Sequence, residues 1–154
     1  MGIESSFTLL RSIGSLVLTS QEEIRFSIDA YRGFRYVSVR KYMKTNELAV
    51  PTAGGVTLTP EIVRALVPRL LALPEDEKQL TLGPVGKFAK RPGMCIVVTV
   101  AAVGALRGLD VRQWEQDKGY TKKGLFLPLA KWAEIRKLFA DTLAAIEEEP
   151  EVNF

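Results

Sequence analysis

The feature that most constrains this chain is that most of it is written twice. Ile13-Gly14 is answered by Val85-Gly86, Ile24, Phe26 and Ile28 by Ile96, Val98 and Val100, and Val39-Arg40-Lys41-Tyr42 by Val111-Arg112-Gln113-Trp114, all at an offset of 72 residues. Gly55-Val56-Thr57-Leu58 is answered by Gly124-Leu125-Phe126-Leu127 at an offset of 69, so the second copy has a connection three residues shorter. A constant offset interrupted once, in a loop, is what a tandem duplication leaves behind.

Within one copy the pattern is that of strands followed by a helix. Residues 7–10 read as a short strand and residues 13–18 as a turn and strand. Residues 24–30 alternate, with Ile24, Phe26, Ile28 and Ala30 on one face and Arg25, Ser27 and Asp29 on the other; period two marks a half-buried strand. Arg32-Gly33 is a turn, and residues 34–43 form a second long strand, with Val37 and Val39 facing one way and Tyr36, Ser38, Arg40 and Tyr42 the other. A connection over residues 44–51, with room for a short strand at 48–50, leads to a strand at 56–58. Thr59-Pro60-Glu61 then starts a helix: a capping hydroxyl, a proline suited to the first turn and an acid at the positive end of the dipole. Ile62, Leu66, Leu70 and Leu73 have helical spacing, and Pro68 is expected to kink or shorten that helix. The second copy closes with a helix over residues 129–148, whose apolar face is Trp132, Ile135, Leu138, Phe139, Thr142 and Ile146.

The expected fold is α+β: two ββββα repeats over residues 7–74 and 82–148, with a linker at 74–81 and an acidic tail at 149–154. One helix cannot cover its own sheet and itself, so the halves are expected to pack about a pseudo-twofold axis, helix against helix, as an intramolecular pseudo-dimer of antiparallel sheets.

Composition narrows the function. The 154 residues contain no His, which removes the commonest general base and metal ligand, and one cysteine, Cys95, which stands in an apolar run and reads as a buried thiol. No nucleophile–base pair and no phosphate loop follows Gly54-Gly55, so neither an enzyme nor a cofactor or metal protein is expected. No apolar run reaches the ~18 residues of a membrane span. Residues 7–18 are broken by Arg11, Ser12, Gly14 and Ser15 and lack a basic start, so they do not read as a signal peptide. Gly2 and Ser6 fit a loose myristoylation pattern that no polybasic stretch supports. An intracellular protein, neither secreted nor on a membrane, is the expectation.

A net charge of +3 is a weak pointer to an anionic partner, but its distribution is stronger. Residues 24–44 hold Arg25, Arg32, Arg35, Arg40, Lys41 and Lys44 against Asp29 alone, with Tyr31, Tyr36 and Tyr42 interleaved. The second copy places Arg112, Trp114, Lys122, Lys123 and Phe126 similarly. Cations neutralise phosphates and flat rings stack on unpaired bases, which is the make-up of a single-strand binding surface. The same residues also suit an exposed sheet face solvated by Arg and Lys with Tyr in cross-strand pairs.

Asp29-Ala30-Tyr31-Arg32-Gly33, Val37-Ser38-Val39-Arg40-Lys41-Tyr42 and Gly55-Val56-Thr57-Leu58-Thr59-Pro60-Glu61 resemble the core domain of the positive cofactor four (p15) family of transcriptional coactivators. Val85-Gly86-Lys87, Leu109-Asp110-Val111-Arg112-Gln113-Trp114, Lys123-Gly124-Leu125-Phe126-Leu127 and Trp132 are similar to the same pattern. The resemblance implies a ββββα unit that dimerises through its helices and grips single-stranded DNA across its sheets, a fold similar to that of plant Whirly proteins. It implies single-stranded nucleic acid as the partner, with transcription proteins and further self-association as additional ones. Family aromatics stack bases at the turn and the helix start. The first copy keeps Tyr31 but has Val63 at the helix, and the second keeps Trp132 but has Val103 at the turn. The family's Lys before Gly is kept as Lys123 and replaced by Gly54 in the first copy.

The candidate interface residues are therefore Tyr31, Arg32, Arg35, Tyr36, Arg40, Arg112, Lys122, Lys123, Phe126 and Trp132. Tyr31 leads for stacking. Lys122 and Lys123 are candidates for phosphate; Arg40 and Arg112 stand between phosphate contact and structural ion pairs, and Trp132 between stacking and core. Either the halves make one asymmetric strand-binding site, or the scaffold persists without binding and serves as a protein-interaction platform in transcription.

Overall fold

A computed structural model describes residues 7–148. The loose myristoylation pattern and the acidic tail lie outside the described residues. The first half runs β1 (Thr8–Val17), β2 (Glu22–Tyr31), β3 (Phe34–Thr45), β4 (Leu48–Leu58) and α1 (Pro60–Leu71). The second runs β5 (Gly83–Arg91), β6 (Met94–Val103), β7 (Leu106–Glu115), β8 (Gly119–Pro128) and α2 (Trp132–Glu148), with a 3₁₀ turn at Leu129–Lys131 ahead of α2. Each set of four strands is an antiparallel meander in chain order. The chain is thus a ββββα unit built twice.

The alternation decides which face is buried. Ile24, Phe26, Ile28, Val37 and Val39 turn inward in the first sheet, and Ile96, Val98, Val100, Leu109 and Val111 do so in the second. All join one core with the helices. Thr59 caps α1, its Oγ1 accepting the Ile62 amide at 3.2 Å, and α1 ends soon after Pro68. The whole expected apolar face of α2 is buried.

Three local expectations are corrected. Residues 8–17 form one strand, with register shifts at Leu9/Arg11 and Ser12/Gly14, rather than two short pieces. β4 is continuous from Leu48, because a bulge opposite Arg40/Tyr42 lets the ladder resume beyond it. The interval from Gly14 to Tyr31, longer than the coactivator pattern and expected to hold an added hairpin or a bulge, holds no extra hairpin: the end of β1, a short loop and the ten-residue β2 take it up.

The halves are intertwined. α1 packs on α2 and on β5, and α2 packs on β1, while β4 lies beside β8. Close approach requires glycine at both crossings: a Cβ at Gly14 would sit 2.9 Å from Leu138 Cδ2, and one at Gly86 would sit 2.5 Å from Arg69 Nη1. Two buried or part-buried arginines repeat the same device. Arg35 donates to the Ile146 carbonyl at 3.2 Å near the end of α2, and Arg107 donates to the Glu77 carbonyl at 3.2 Å and to that of Leu80 beyond α1. The repeat offsets of 72 and 69 carry Arg35 onto Arg107 and Glu77 onto Ile146, so the contacts obey the pseudo-twofold.

Candidate nucleic-acid interface

The β2–β3 turn is Tyr31-Arg32-Gly33-Phe34, with Arg32 (φ 51°) and Gly33 (φ 82°) both in the left-handed region, as a two-residue hairpin of matching twist requires. This tight turn brings Tyr31 and Tyr36 to the same outer corner of the sheet. Phe7 stacks on Tyr31 with centroids 4.7 Å apart and meets Tyr36 edge-on at 5.9 Å. The Arg32 guanidinium lies 5.3 Å from the Tyr31 ring centroid. The corner therefore offers an aromatic cluster with a cation beside it.

Facing this corner is the β5–β6 hairpin of the other half. Tyr31, Arg32, Tyr36 and Thr59 line one stretch of a groove with Lys90 and Arg91 opposite. The groove continues past Phe7, Arg40, Gly55 and Thr57 on the first half to Met94, Gln113 and Lys123 on the second, with Lys90 and Arg91 again in its wall. Both halves are needed to make it. Lys90 fastens them together: its Nζ donates to Thr57 Oγ1 at 2.7 Å and to Gln113 Oε1 at 3.0 Å. Burial, aided by the neighbouring Arg91 and Lys123, brings the Lys90 ammonium down to a pKa of about 8. Asp29, on the outer face of β2, is pushed up by its burial against the pull of Ser27 and Arg40. The one acid of this basic stretch is thereby made easier to neutralise.

Arg40 and Arg112 occupy equivalent bulges. Arg40 Nη1 donates to the Thr52 carbonyl and Arg112 Nη1 to the Thr121 carbonyl, each at 3.0 Å. Each guanidinium lies over a glycine: a Cβ on Gly55 would stand 2.7 Å from Arg40 Cζ, and one on Gly124 would stand 2.9 Å from Arg112 Cζ and 2.7 Å from the Val111 carbonyl oxygen. The threonines lock the bulges, donating to the Lys41 and Gln113 carbonyls at 2.9 Å. The two sites differ in charge. Arg112 is held by Asp110, at 3.0 Å and 3.3 Å. Ser38 stands where Asp110 would, and among the described residues no ion pair reaches Arg40.

Of the expected interface residues, Tyr31, Arg32, Tyr36, Arg40 and Lys123 share this groove. Lys122 is exposed and is not among the residues lining it. Arg112 and Phe126 lie on the outer face of the second sheet, outside the groove walls, with the Phe126 ring laid over Gly108. Two placements correct the sequence reading. Arg35 is buried on the helix side, because position 35 shares the inward phase of Val37 and Val39. Trp132 is 1% exposed, its Nε1 donating to the Pro74 carbonyl at 2.9 Å, and its counterpart Val63 is equally buried, so this position belongs to the core in both halves. Sequence reasoning missed Phe7, Lys90 and Arg91. The basic pair ahead of the Pro92-Gly93 turn was a usable signal; Phe7, at the start of a short apolar run, carried none.

No helix of the described residues is long and apolar enough to cross a membrane. No group of three or more metal-capable side chains occurs among them. No curated protein matches the chain. Among solved structures it is similar to the crystal structure of WHY1 from Arabidopsis thaliana, at 9% identity and a TM-score of 0.40, over 94% of this chain and 100% of that one. Residues 18–68, from the start of the β1–β2 loop into α1, match the family model of the Transcriptional Coactivator p15 (PC4). The first repeat is therefore PC4-like in sequence, and the second rebuilds the same ββββα plan in the same chain.

Proposed function

We propose that this chain binds single-stranded nucleic acid with little sequence preference and acts in transcription, as the coactivator family matched by its first repeat does. The observation that carries the reading is the groove between the halves, where a ring cluster of Phe7, Tyr31 and Tyr36 meets cations from both repeats. Rings supply stacking platforms that accept any base, and Arg32, Arg40, Lys90, Arg91 and Lys123 can follow a phosphate backbone.

The test is equilibrium binding of a thymidine oligomer and of a duplex of equal length at two salt concentrations. Strand binding gives tighter association with the oligomer, weakening steeply as salt rises. Equal or absent binding of both would reject the reading and leave the chain as a protein-interaction platform.

A further inference from the structure

A homodimer of ββββα units must present each of its surfaces twice. A tandem copy is free of that constraint, and the repeat offsets show what each groove-wall residue has become at the pseudo-twofold position. Tyr31 and Tyr36 are answered by Val103 and Gly108, so the second corner lacks the tyrosine pair and holds the single ring of Phe126. The space above Gly108 is filled by Phe126, whose ring atoms would lie 2.5 Å from a Cβ there. Lys90, Arg91 and Lys123 are answered by the uncharged Leu18, Thr19 and Gly54, while Gln113 and Ala53 are answered by Lys41, which Glu22 holds at 2.9 Å, and by Lys122. Leu18 packs against the core rather than reaching outward. Arg40 keeps a cationic counterpart in Arg112, but the Asp110 carboxylate occupies that guanidinium.

We infer that the described residues form one strand-binding groove and no second, and that this groove takes a single strand in one fixed 5′-to-3′ direction. The inference rests on the strand-binding reading and adds stoichiometry and polarity to it. The groove has unlike stretches: Tyr31, Arg32 and Tyr36 line one, and Phe7, Arg40, Gln113 and Lys123 line the other. A nucleic-acid strand is itself directional, and a directional ligand in a groove with unlike stretches has one better orientation. With exact twofold symmetry an equivalent second groove would carry a strand running the opposite way.

The experiment uses the full chain and a short thymidine oligomer. Native mass spectrometry in oligomer excess is expected to show one strand per chain; two strands per chain would overturn the single groove. For direction, a donor dye is placed on Ala105→Cys, at the exposed β6–β7 turn on the empty side, since the native Cys95 is buried. An acceptor is carried on the 5′ or the 3′ end of the oligomer. Unequal energy transfer for the two labels is expected, and equal transfer would overturn the fixed direction. Ser20→Cys, in the exposed β1–β2 loop, repeats the measurement from another position should Ala105→Cys fail to fold. Failure of the unlabelled oligomer to bind at all would reject the strand-binding reading itself, which separates the two ideas.

Discussion

The two halves agree where they shape the backbone and disagree where they face the groove. Gly14 and Gly86 admit a helix from the other half, Thr52 and Thr121 lock equivalent bulges, and Arg35 and Arg107 bind carbonyls near equivalent helix ends. Each feature serves close packing, where a misplaced methyl costs on the order of 1 kcal/mol or more, so both copies are held to it. Outward positions such as 31 and 103, or 90 and 18, carry no such cost and are free to differ. Duplication has thus separated two requirements that a single repeat must meet together: to form the scaffold and to contact the ligand.

This comparison can be broken by measurement, beginning with the core. Trp132→Ala removes a fully buried ring and the bond to Pro74, and is expected to cost about 3–5 kcal/mol in denaturant unfolding. Val63→Ala, at the equivalent position, is expected to cost less, in proportion to the smaller volume removed. Equal costs would show that the halves do not share one core. Next come the bulge glycines. Gly124→Ala forces a methyl to 2.7 Å from a backbone carbonyl and is expected to cost roughly 1–3 kcal/mol. Gly55→Ala meets mainly the Arg40 side chain, which can swing away, and is expected to cost less stability.

At the groove, Tyr31→Ala is expected to weaken oligomer binding by ~1–3 kcal/mol with little loss of stability, while Leu106→Ala, on the equivalent hairpin, leaves binding unchanged. Comparable losses from both would mean that the two corners are used alike. The smallest effect is a pH slope. Lys90 has a pKa of about 8 in the folded chain against an ordinary 10.5. Between those values the unfolded chain holds the extra proton, so this group makes folding more favourable as pH rises from about 8 to about 10.5. Chemical unfolding of the wild type and of Lys90→Met across that window should show the rising component in the wild type alone. A bound phosphate favours the charged amine, so strand affinity is expected to fall as pH passes 8, and to do so less in Lys90→Arg.

Much of the scaffold was legible because its signals repeat. Ile24, Phe26 and Ile28 with their partners 72 residues on gave strand, face and duplication together, and Thr59-Pro60-Glu61 marked the helix start. The groove was legible only from one side. Tyr31, Arg32 and Tyr36 stand out locally, but Lys90 and Arg91 gain their meaning from a packing arrangement between halves that no local pattern encodes. Arg35 was misread because composition counts charges without regard to phase; its position two residues before Val37 already places it inward. Trp132 was left open because an aromatic residue at a helix start suits either a ligand or a core, and only the carbonyl of Pro74 decides between them.

The carbonyl of Pro74 also lies in the stretch that joins the halves, and that stretch is short. Partners encoded on separate chains fall apart when scarce, because their meeting depends on how many are present. Here the meeting is unimolecular, at an effective concentration set by the tether alone. The groove between the repeats should therefore survive dilution to a few copies per cell.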